Sequence, residues 1–416
     1  MPVRIHPFNM IRPHSVRAAG VSCPPYDVVD TDQARELADG IPESFLHVIR
    51  PEIALPNGTA YNDDAVYGEA ATQYERLLGE GVLQRDQTPS LAVYRLSWEG
   101  RTQHGIVCCC HVDDYVNNVI RRHETTRPDK EDDRTRHLLS IDAQTGPVLL
   151  AYRDQPAIDE LVQQAIVGRP SCHFKSADNV THTIWDIEDT APFIEAFSSL
   201  PCAYVADGHH RTASAVRAAE ARREGQPDAD PDAEFNWFMS VLFPASQLQV
   251  LPYNRAVSDL GDHDEDGFLS ALSDIGSIET TKNPIPDREG VICIAMSGGW
   301  YRFTFDEVQA PQDPVASLDV ALLQDRILGP MLGIADPRTD PRLQFVGGIH
   351  GPDGLKKRVD DGEAAAAFSM FPTRIEAMMD VSDASMCMPP KSTWFEPKLR
   401  SGLFVHALDS HVPADI

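Results

Sequence analysis

Ala203-Tyr204-Val205-Ala206-Asp207-Gly208-His209-His210-Arg211 is an apolar run that breaks at Asp207-Gly208 and resumes as a helical pattern. The stretch reads as strand, tight turn and helix start. At such a junction the first helical N–H groups and the positive end of the macrodipole point outward together, and His209, His210 and Arg211 add donors and positive charge. Gly208, His209, Arg211 and Thr212 are therefore candidate phosphate ligands. The alternative reading is an acidic helix cap at Asp207 followed by solvated basic residues.

Outward from this turn, apolar runs place strands near Leu91–Trp98, Gly105–Val112 and Pro147–Tyr152, with helices near Pro156–Val167 and Ala191–Ser199. A long helix is predicted from about His209 to Glu224, with Thr212, Ala215, Val216 and Ala219 on one buried face. Gly225–Asp232, with two prolines, reads as a loop. Beyond Met239 come short strands, Ser240–Phe243 and Gln247–Pro252, then a helix near Asp266–Leu272. A hairpin follows, with arms Val291–Met296 and Trp300–Phe305 around Ser297-Gly298-Gly299. Helices are predicted at Ala316–Leu328 and Gly354–Asp360, and strands near Leu343–Val346 and Gly402–Ala407. The fold class is α/β with α+β character. The expected regions are a mixed α/β part over 1–150, a turn-helix part over 151–254, a small α+β insertion over 255–315, and a C-terminal part over 316–416 that returns to the site.

A chain of 416 residues has room for two or three folding units. Its 42% hydrophobic and 24% charged residues are proportions of a globular protein. A net charge of −27 argues against general affinity for nucleic acid or an anionic membrane, since both require phosphate neutralisation by basic groups. No apolar run approaches a bilayer span and the first 13 residues lack a signal-peptide core, so the expected location is the cytoplasm. Cys108, Cys109 and Cys110 sit consecutively on a strand-like run and the other cysteines show no paired spacing, which suits core packing rather than disulfides or zinc.

In so acidic a chain, the basic islands are where an anionic small molecule would be welcome. Arg121–His137 holds six Lys/Arg against five Asp/Glu, a local net of +1, and Met388–Gly402 holds Lys391, Lys398 and Arg400 against Glu396, a local net of +2. Within the first island, His123-Glu124-Thr125-Thr126-Arg127-Pro128-Asp129-Lys130-Glu131-Asp132-Asp133-Arg134 is dense in ionisable groups, and Pro128 argues against a regular helix through its middle. It reads either as a self-paired surface loop or as a loop that presents catalytic groups. Met388–Lys398 combines three prolines with two lysines, Ser392, Thr393 and two aromatic rings, a stiff loop suited to phosphate binding, base stacking or docking on the body. Pro24-Pro25-Tyr26-Asp27 reads first as a structural turn.

Taken in order, Pro24–Val28, Ser44–Val48, His123–Arg134, Gln144-Thr145-Gly146-Pro147, Ala206–Arg211 and Met388–Gly402 resemble a bacterial family catalogued as a domain of unknown function, number 1015. The Asp-Gly-His-His-Arg turn also resembles the signature of free serine kinases in the ParB/sulfiredoxin-like superfamily, whose equivalent turn cradles nucleotide phosphates. This second resemblance implies a ParB/sulfiredoxin-like nucleotide-binding core with additional mixed-sheet subdomains. It also implies a phosphotransferase that uses ATP or ADP with Mg2+ and passes the phosphoryl group to a small hydroxyl compound, free L-serine being the favoured acceptor.

On that reading Glu124 is the base for the acceptor hydroxyl, Asp207 serves the metal or the substrate ammonium, and His210 joins them as a catalytic group. His123, Arg127, Lys130 and Arg134 complete the cationic surround of the phosphates, and Lys391, Ser392, Thr393 and Lys398 bind the acceptor. The partners are a nucleotide and a small hydroxylated substrate, with a homodimer as the assembly considered and neither nucleic acid nor membrane involved. One departure is Leu251-Pro252-Tyr253-Asn254-Arg255, where the resemblance leads us to expect a histidine at 254. The rival readings are a non-catalytic nucleotide-binding regulatory module and a phosphatase. A sulfiredoxin-like reductase lacks its cysteine at the turn.

Overall fold

The computed structural model describes residues 2–306 and 313–409, and the parts of the expected regions that fall on 307–312 and 410–416 lie outside the described residues. The chain divides into two compact units: residues 1–122, 126–248 and 397–416 form one, and residues 123–125 and 249–396 form the other. The expected border at 150/151 therefore falls inside the first unit, and the border at 254/255 falls within a strand of the second.

A mixed nine-stranded sheet organises the first unit. In chain order its strands are β1 (Ile5–His6), β2 (Leu91–Trp98), β3 (Arg101–His111), β4 (Ile120–Arg121), β5 (Val148–Tyr152), β6 (Cys172–Lys175), β7 (Thr181–Ile187), β8 (Ala203–Asp207) and β9 (Trp237–Pro244). Their spatial order is β4-β8-β5-β9-β3-β2-β7-β6, with β1 on β3. Pairs β8/β4 and β9/β5 are parallel and the remainder antiparallel. β2 and β3 join through Glu99-Gly100, both at positive φ, which matches the twist of a tight hairpin. Cys108 and Cys110 pack into the main core with Ile106 and Leu150, while the pleat turns Cys109 to the opposite face, where it is also buried. Gly105 leaves room on β3 for Val241 and Phe243, since a Cβ there would lie 2.5 Å from Val241 Cγ1.

Two helices matter for the site. One, α1, covers Pro128–Ile141, and the other, α2, covers His209–Gly225. The first corrects the sequence expectation of an irregular segment through 123–134. Pro128 occupies the first helical position, where its missing N–H costs nothing and its fixed φ favours the turn, so it starts the helix. The predicted strand at Gly402–Ala407 shrinks to His406–Ala407, because Ser401 and Val405 make only isolated bridges, to Cys23 and Ile11. Val216 of α2 is only partly buried, whereas Thr212, Ala215 and Ala219 are buried as the spacing predicts.

In the second unit a six-stranded antiparallel sheet contains β10 (Tyr253–Val257), β11 (Gly276–Thr281), β12 (Val291–Met296), β13 (Gly299–Phe305), β14 (Leu343–Gly347) and β15 (Ala366–Ser369), in the order β11-β13-β12-β15-β10-β14. The expected hairpin is β12/β13, with Gly299 at φ 127°. The helix expected at Ala316–Leu328 is an α-turn, Asp319–Leu323, continued as a π-segment, Gln324–Leu328. Asn254 is buried and its Oδ1 accepts from the Met370 amide at 3.0 Å, a structural bond within the sheet region.

Gly105→Val should lower the free energy of unfolding by about 2 kcal/mol through overpacking. Urea unfolding monitored by tryptophan fluorescence checks this. An unchanged midpoint would contradict the packing described.

Candidate functional site

β8 ends in an irregular register between Val205 and Asp207, and Gly208 follows at φ 98° as the N-cap of α2. That left-handed conformation favours glycine, and here it has a second use. A Cβ at Gly208 would lie 3.0 Å from Arg211 Nε and 3.1 Å from its Cζ, so the bare backbone lets the guanidinium fold over the turn. Arg211 then donates from Nη2 to Asp207 Oδ2 at 2.9 Å and from Nη1 to the Pro147 carbonyl. The Arg211 side chain is only 12% exposed. Burial works against its charge, yet Asp207 and Asp27 outweigh that cost and hold the guanidinium above its ordinary range. Asp207 is thus the brace of the turn, not its cap. Lys398 Nζ approaches Asp207 Oδ1 at 3.6 Å.

Neither N-cap residue, Gly208 of α2 nor Arg127 of α1, caps its helix with its own side chain. The two helix starts meet: the Arg127 amide, at the N-cap of α1, donates to His210 Nε2 at 3.1 Å. Two helix starts thus lie side by side within the first unit, that of α1 with Asp129 and Glu131 in its first turn.

The remaining predicted phosphate ligands are arranged otherwise than the sequence suggests. His209 is buried. Thr212 is fully buried, and its hydroxyl donates back to the Gly208 carbonyl at 3.1 Å, so it closes the first helical turn instead of facing a ligand. Arg127 pairs with Asp129 at 2.8 Å, Arg134 with Asp133 at 2.7 Å, and Lys130 lies over the Tyr61 ring at 4.3 Å. The cationic surround is therefore largely compensated by its own neighbours. Asp133 is fixed as well by Tyr67, whose hydroxyl donates to it at 2.8 Å.

His123 and Glu124 belong to the second unit, as do Lys391, Ser392 and Thr393, whereas Lys398 belongs to the first. There His123 Nε2 lies 3.3 Å from Thr393 Oγ1, and the Met388 amide donates to the His123 carbonyl at 2.8 Å. Ser392 is buried with its hydroxyl donating to the Pro389 carbonyl at 2.6 Å, so it acts as a loop tie and not as an open ligand. Lys391 adopts φ 57° and extends over the Tyr253 ring.

Sequence reasoning did not name Tyr26, Gln144, Thr145, Gly146 or Ser401 as site residues, although all five lie in stretches it singled out. In the first unit they meet Arg134, His137, Arg211 and Ser214 around one cavity of about 50 Å³. Gly146 is needed there, since a Cβ would lie 2.9 Å from Ser401 Oγ. Ser401 and Cys23 exchange backbone hydrogen bonds, and the Gly402 amide donates to the Thr145 carbonyl, which closes the wall. Arg134 lies 4.3 Å over the Tyr26 ring. Burial, assisted by Arg134, pushes His137 down to about 4, so it is neutral near pH 7 with Nε2 bonded to the Val48 carbonyl at 2.8 Å.

For magnesium the fit in the first unit is poor. Asp207 is the carboxylate of the turn, and both of its oxygens face cations. A metal would have to arrive on the nucleotide phosphates themselves, which is the usual way magnesium is held.

The sequence profile of the family described as "Protein of unknown function (DUF1015)" matches residues 5–321. No curated protein matches the chain. Among solved structures, SbnI with C-terminal truncation from Staphylococcus aureus is similar at 11% identity and TM-score 0.37, covering 70% of this chain and 82% of that one. A free serine kinase in complex with AMP is similar at 11% identity and TM-score 0.34, covering 70% and 86%. A conserved hypothetical protein from Pyrococcus furiosus is similar at 14% identity and TM-score 0.33, covering 71% and 94%. No helix among the described residues is long and apolar enough to cross a membrane.

Arg211→Ala should cost roughly 2–3 kcal/mol of stability, because it leaves Asp207 and the Pro147 carbonyl without their donor. Chemical denaturation checks this, and a loss below about 0.5 kcal/mol would contradict the bracing role. A second expectation concerns pH. His137 is depressed to about 4 and, in the same unit, buried His182 to about 3, while an unfolded histidine binds its proton near 6.5. Both contributions are fully present above pH 6.5 and are lost as pH falls toward 4, since the unfolded chain takes up the protons first. Unfolding midpoints measured from pH 7 to 4.5 should decline, and His137→Gln should flatten the decline.

Proposed function

From the architecture of its β8–α2 turn we propose that this chain, which belongs to the DUF1015 family, is a phosphotransferase. It would move a phosphoryl group from ATP or ADP to a small hydroxyl compound, with free L-serine or a related hydroxy acid as acceptor. The observation that carries the reading is the meeting of two helix starts, where the Arg127 amide of α1 donates to His210 Nε2 of α2. The positive macrodipole end of α2, where the N-cap residue Gly208 has no side chain to cap it, favours a phosphate without the entropy cost of long side chains.

Phosphoryl transfer asks a protein mainly to position two reactants and to offset charge on the group in motion. Gly208, His209 and His210 supply main-chain donors in this proposal, and Arg127, at the surface, is the cation best placed to exchange Asp129 for a phosphate oxygen. Arg211 acts through the turn it braces. Glu124 is the proposed base for the acceptor hydroxyl.

The test is incubation of the purified chain with Mg2+, ATP or ADP and a panel of hydroxyl compounds, read by phosphorus NMR and mass spectrometry. A phosphorylated small molecule is expected, and Glu124→Gln should lower kcat by about a hundredfold or more with nucleotide affinity retained. Nucleotide binding without any phosphorylated product would instead indicate a regulatory module. Release of inorganic phosphate alone would indicate a phosphatase.

A further inference from the structure

Among the described residues two arginines are buried, Arg255 and Arg400. Arg400 pairs with Asp178 at 3.4 Å. Arg255, in the middle of β10, has no carboxylate partner among the described residues. Its Nη1 donates to the Tyr253 carbonyl, its Nη2 donates to the Pro390 carbonyl at 3.1 Å, and its Cζ lies 5.0 Å from the centre of the Phe345 ring. Carbonyl oxygens take part of the hydrogen-bonding capacity of a guanidinium without cancelling its charge. Burial therefore lowers Arg255 to about 10, and only Tyr253 works against that shift. A guanidinium taken out of water without a counter-ion is strongly disfavoured.

The loop that supplies the Pro390 carbonyl brings a second cation. Lys391 follows at φ 57°, a left-handed conformation uncommon outside glycine, and its Nζ lies 5.7 Å from the centre of the Tyr253 ring. Bonds on both sides hold it there: Arg255 to the Pro390 carbonyl, the Ser392 hydroxyl to the Pro389 carbonyl at 2.6 Å, and the Thr373 hydroxyl to the Ser392 carbonyl at 2.9 Å. Tyr253 and Arg255 stand two residues apart on β10 and so share one face of the sheet. Both cations thus border Tyr253, Arg255 from a buried position and Lys391 from an exposed one. The Tyr253 and Phe345 rings that they lie against are half-buried, so the cluster reaches the surface.

An anion is what Arg255 lacks. A forked guanidinium matches the two oxygens of a carboxylate, and an ammonium beside it adds attraction that the surrounding rings leave weakly screened. We propose that Arg255 and Lys391 form the site for the carboxylate of the acceptor, with Arg255 setting the preference for an acid over a neutral analogue. The proposal rests on the phosphotransferase reading for the word acceptor, and it makes the carboxylate of that acceptor obligatory.

The experiment is calorimetric titration of the full chain with two pairs of probes, L-serine against L-serinamide and DL-glycerate against glycerol. The members of each pair differ in whether they carry a carboxylate. At least one acid should bind at least tenfold more tightly than its neutral counterpart, and Arg255→Met should reduce that ratio to below threefold. Lys391→Met should reduce the ratio at least threefold, and because Lys391 is exposed this variant decides the matter if circular dichroism shows that Arg255→Met does not fold. A purely structural role for Arg255 would weaken acid and neutral probe alike and leave the ratio in place, which would overturn the proposal. Binding of neither acid, equal binding of acid and neutral analogue by the unaltered chain, or a ratio untouched by Lys391→Met would overturn it as well. The expected ratios without any phosphoryl transfer would leave the carboxylate site standing and remove the phosphotransferase reading. Phosphorylation of an acceptor that has no carboxylate would do the reverse.

Discussion

The ion pair between Asp207 and Arg211, drawn across a glycine, is the constraint on which the turn depends. One residue ends β8, the other lies in the first turn of α2, and the guanidinium reaches the Pro147 carbonyl at the edge of β5 as well. Strand, helix and neighbouring strand are thereby fixed at one point. Gly208 is the condition for that arrangement, both for its backbone conformation and for the space above it. The same brace lies beside an N-cap glycine that has no side chain to cap the helix, and Arg211 lines the adjacent cavity.

This changes what the basic residues mean. In sequence, Arg211, Arg134 and Arg127 suggest a ready-made anion trap. In the structure each has a carboxylate partner, so the free charge near the turn is much smaller than the count of cations implies. The start of α1 is offset by Asp129 and Glu131 in its first turn, whereas α2 has no acid in its first turn, so its macrodipole remains a positive contribution that the ion pairs do not remove. A ligand that displaces Asp129 from exposed Arg127 loses little, since surface pairs contribute of order 0–1 kcal/mol. Displacing Asp207 from Arg211 would undo the turn itself.

Legibility in the sequence followed the range of the interactions involved. Period and punctuation located β2, the helix at His209 and the β12/β13 hairpin, because local backbone preferences dominate there. Pro128 was misread since the same ring that breaks a helix interior also favours its first position, and only the neighbours decide which applies. Thr212 and Ser392 have ligand chemistry, yet their hydroxyls are spent on local carbonyls. Tyr26, Thr145 and Ser401 are far apart in the chain and became site residues through tertiary closure alone, for which the Gly146-Pro147 and Pro24-Pro25 punctuation gave only a hint. The grouping of His123 and Glu124 with residues 249–396 likewise comes from long-range contacts, to Met388 and Thr393, that no local pattern reveals.

The measurement that tests the central claim most directly is amide hydrogen exchange of the intact chain with and without a non-hydrolysable ATP analogue and Mg2+. A nucleotide held by the two helix starts should slow exchange at residues 208–211 and at 127–131, with β7 and β10 unaffected. Exchange at both helix starts that is the same with saturating nucleotide as without it would contradict the account.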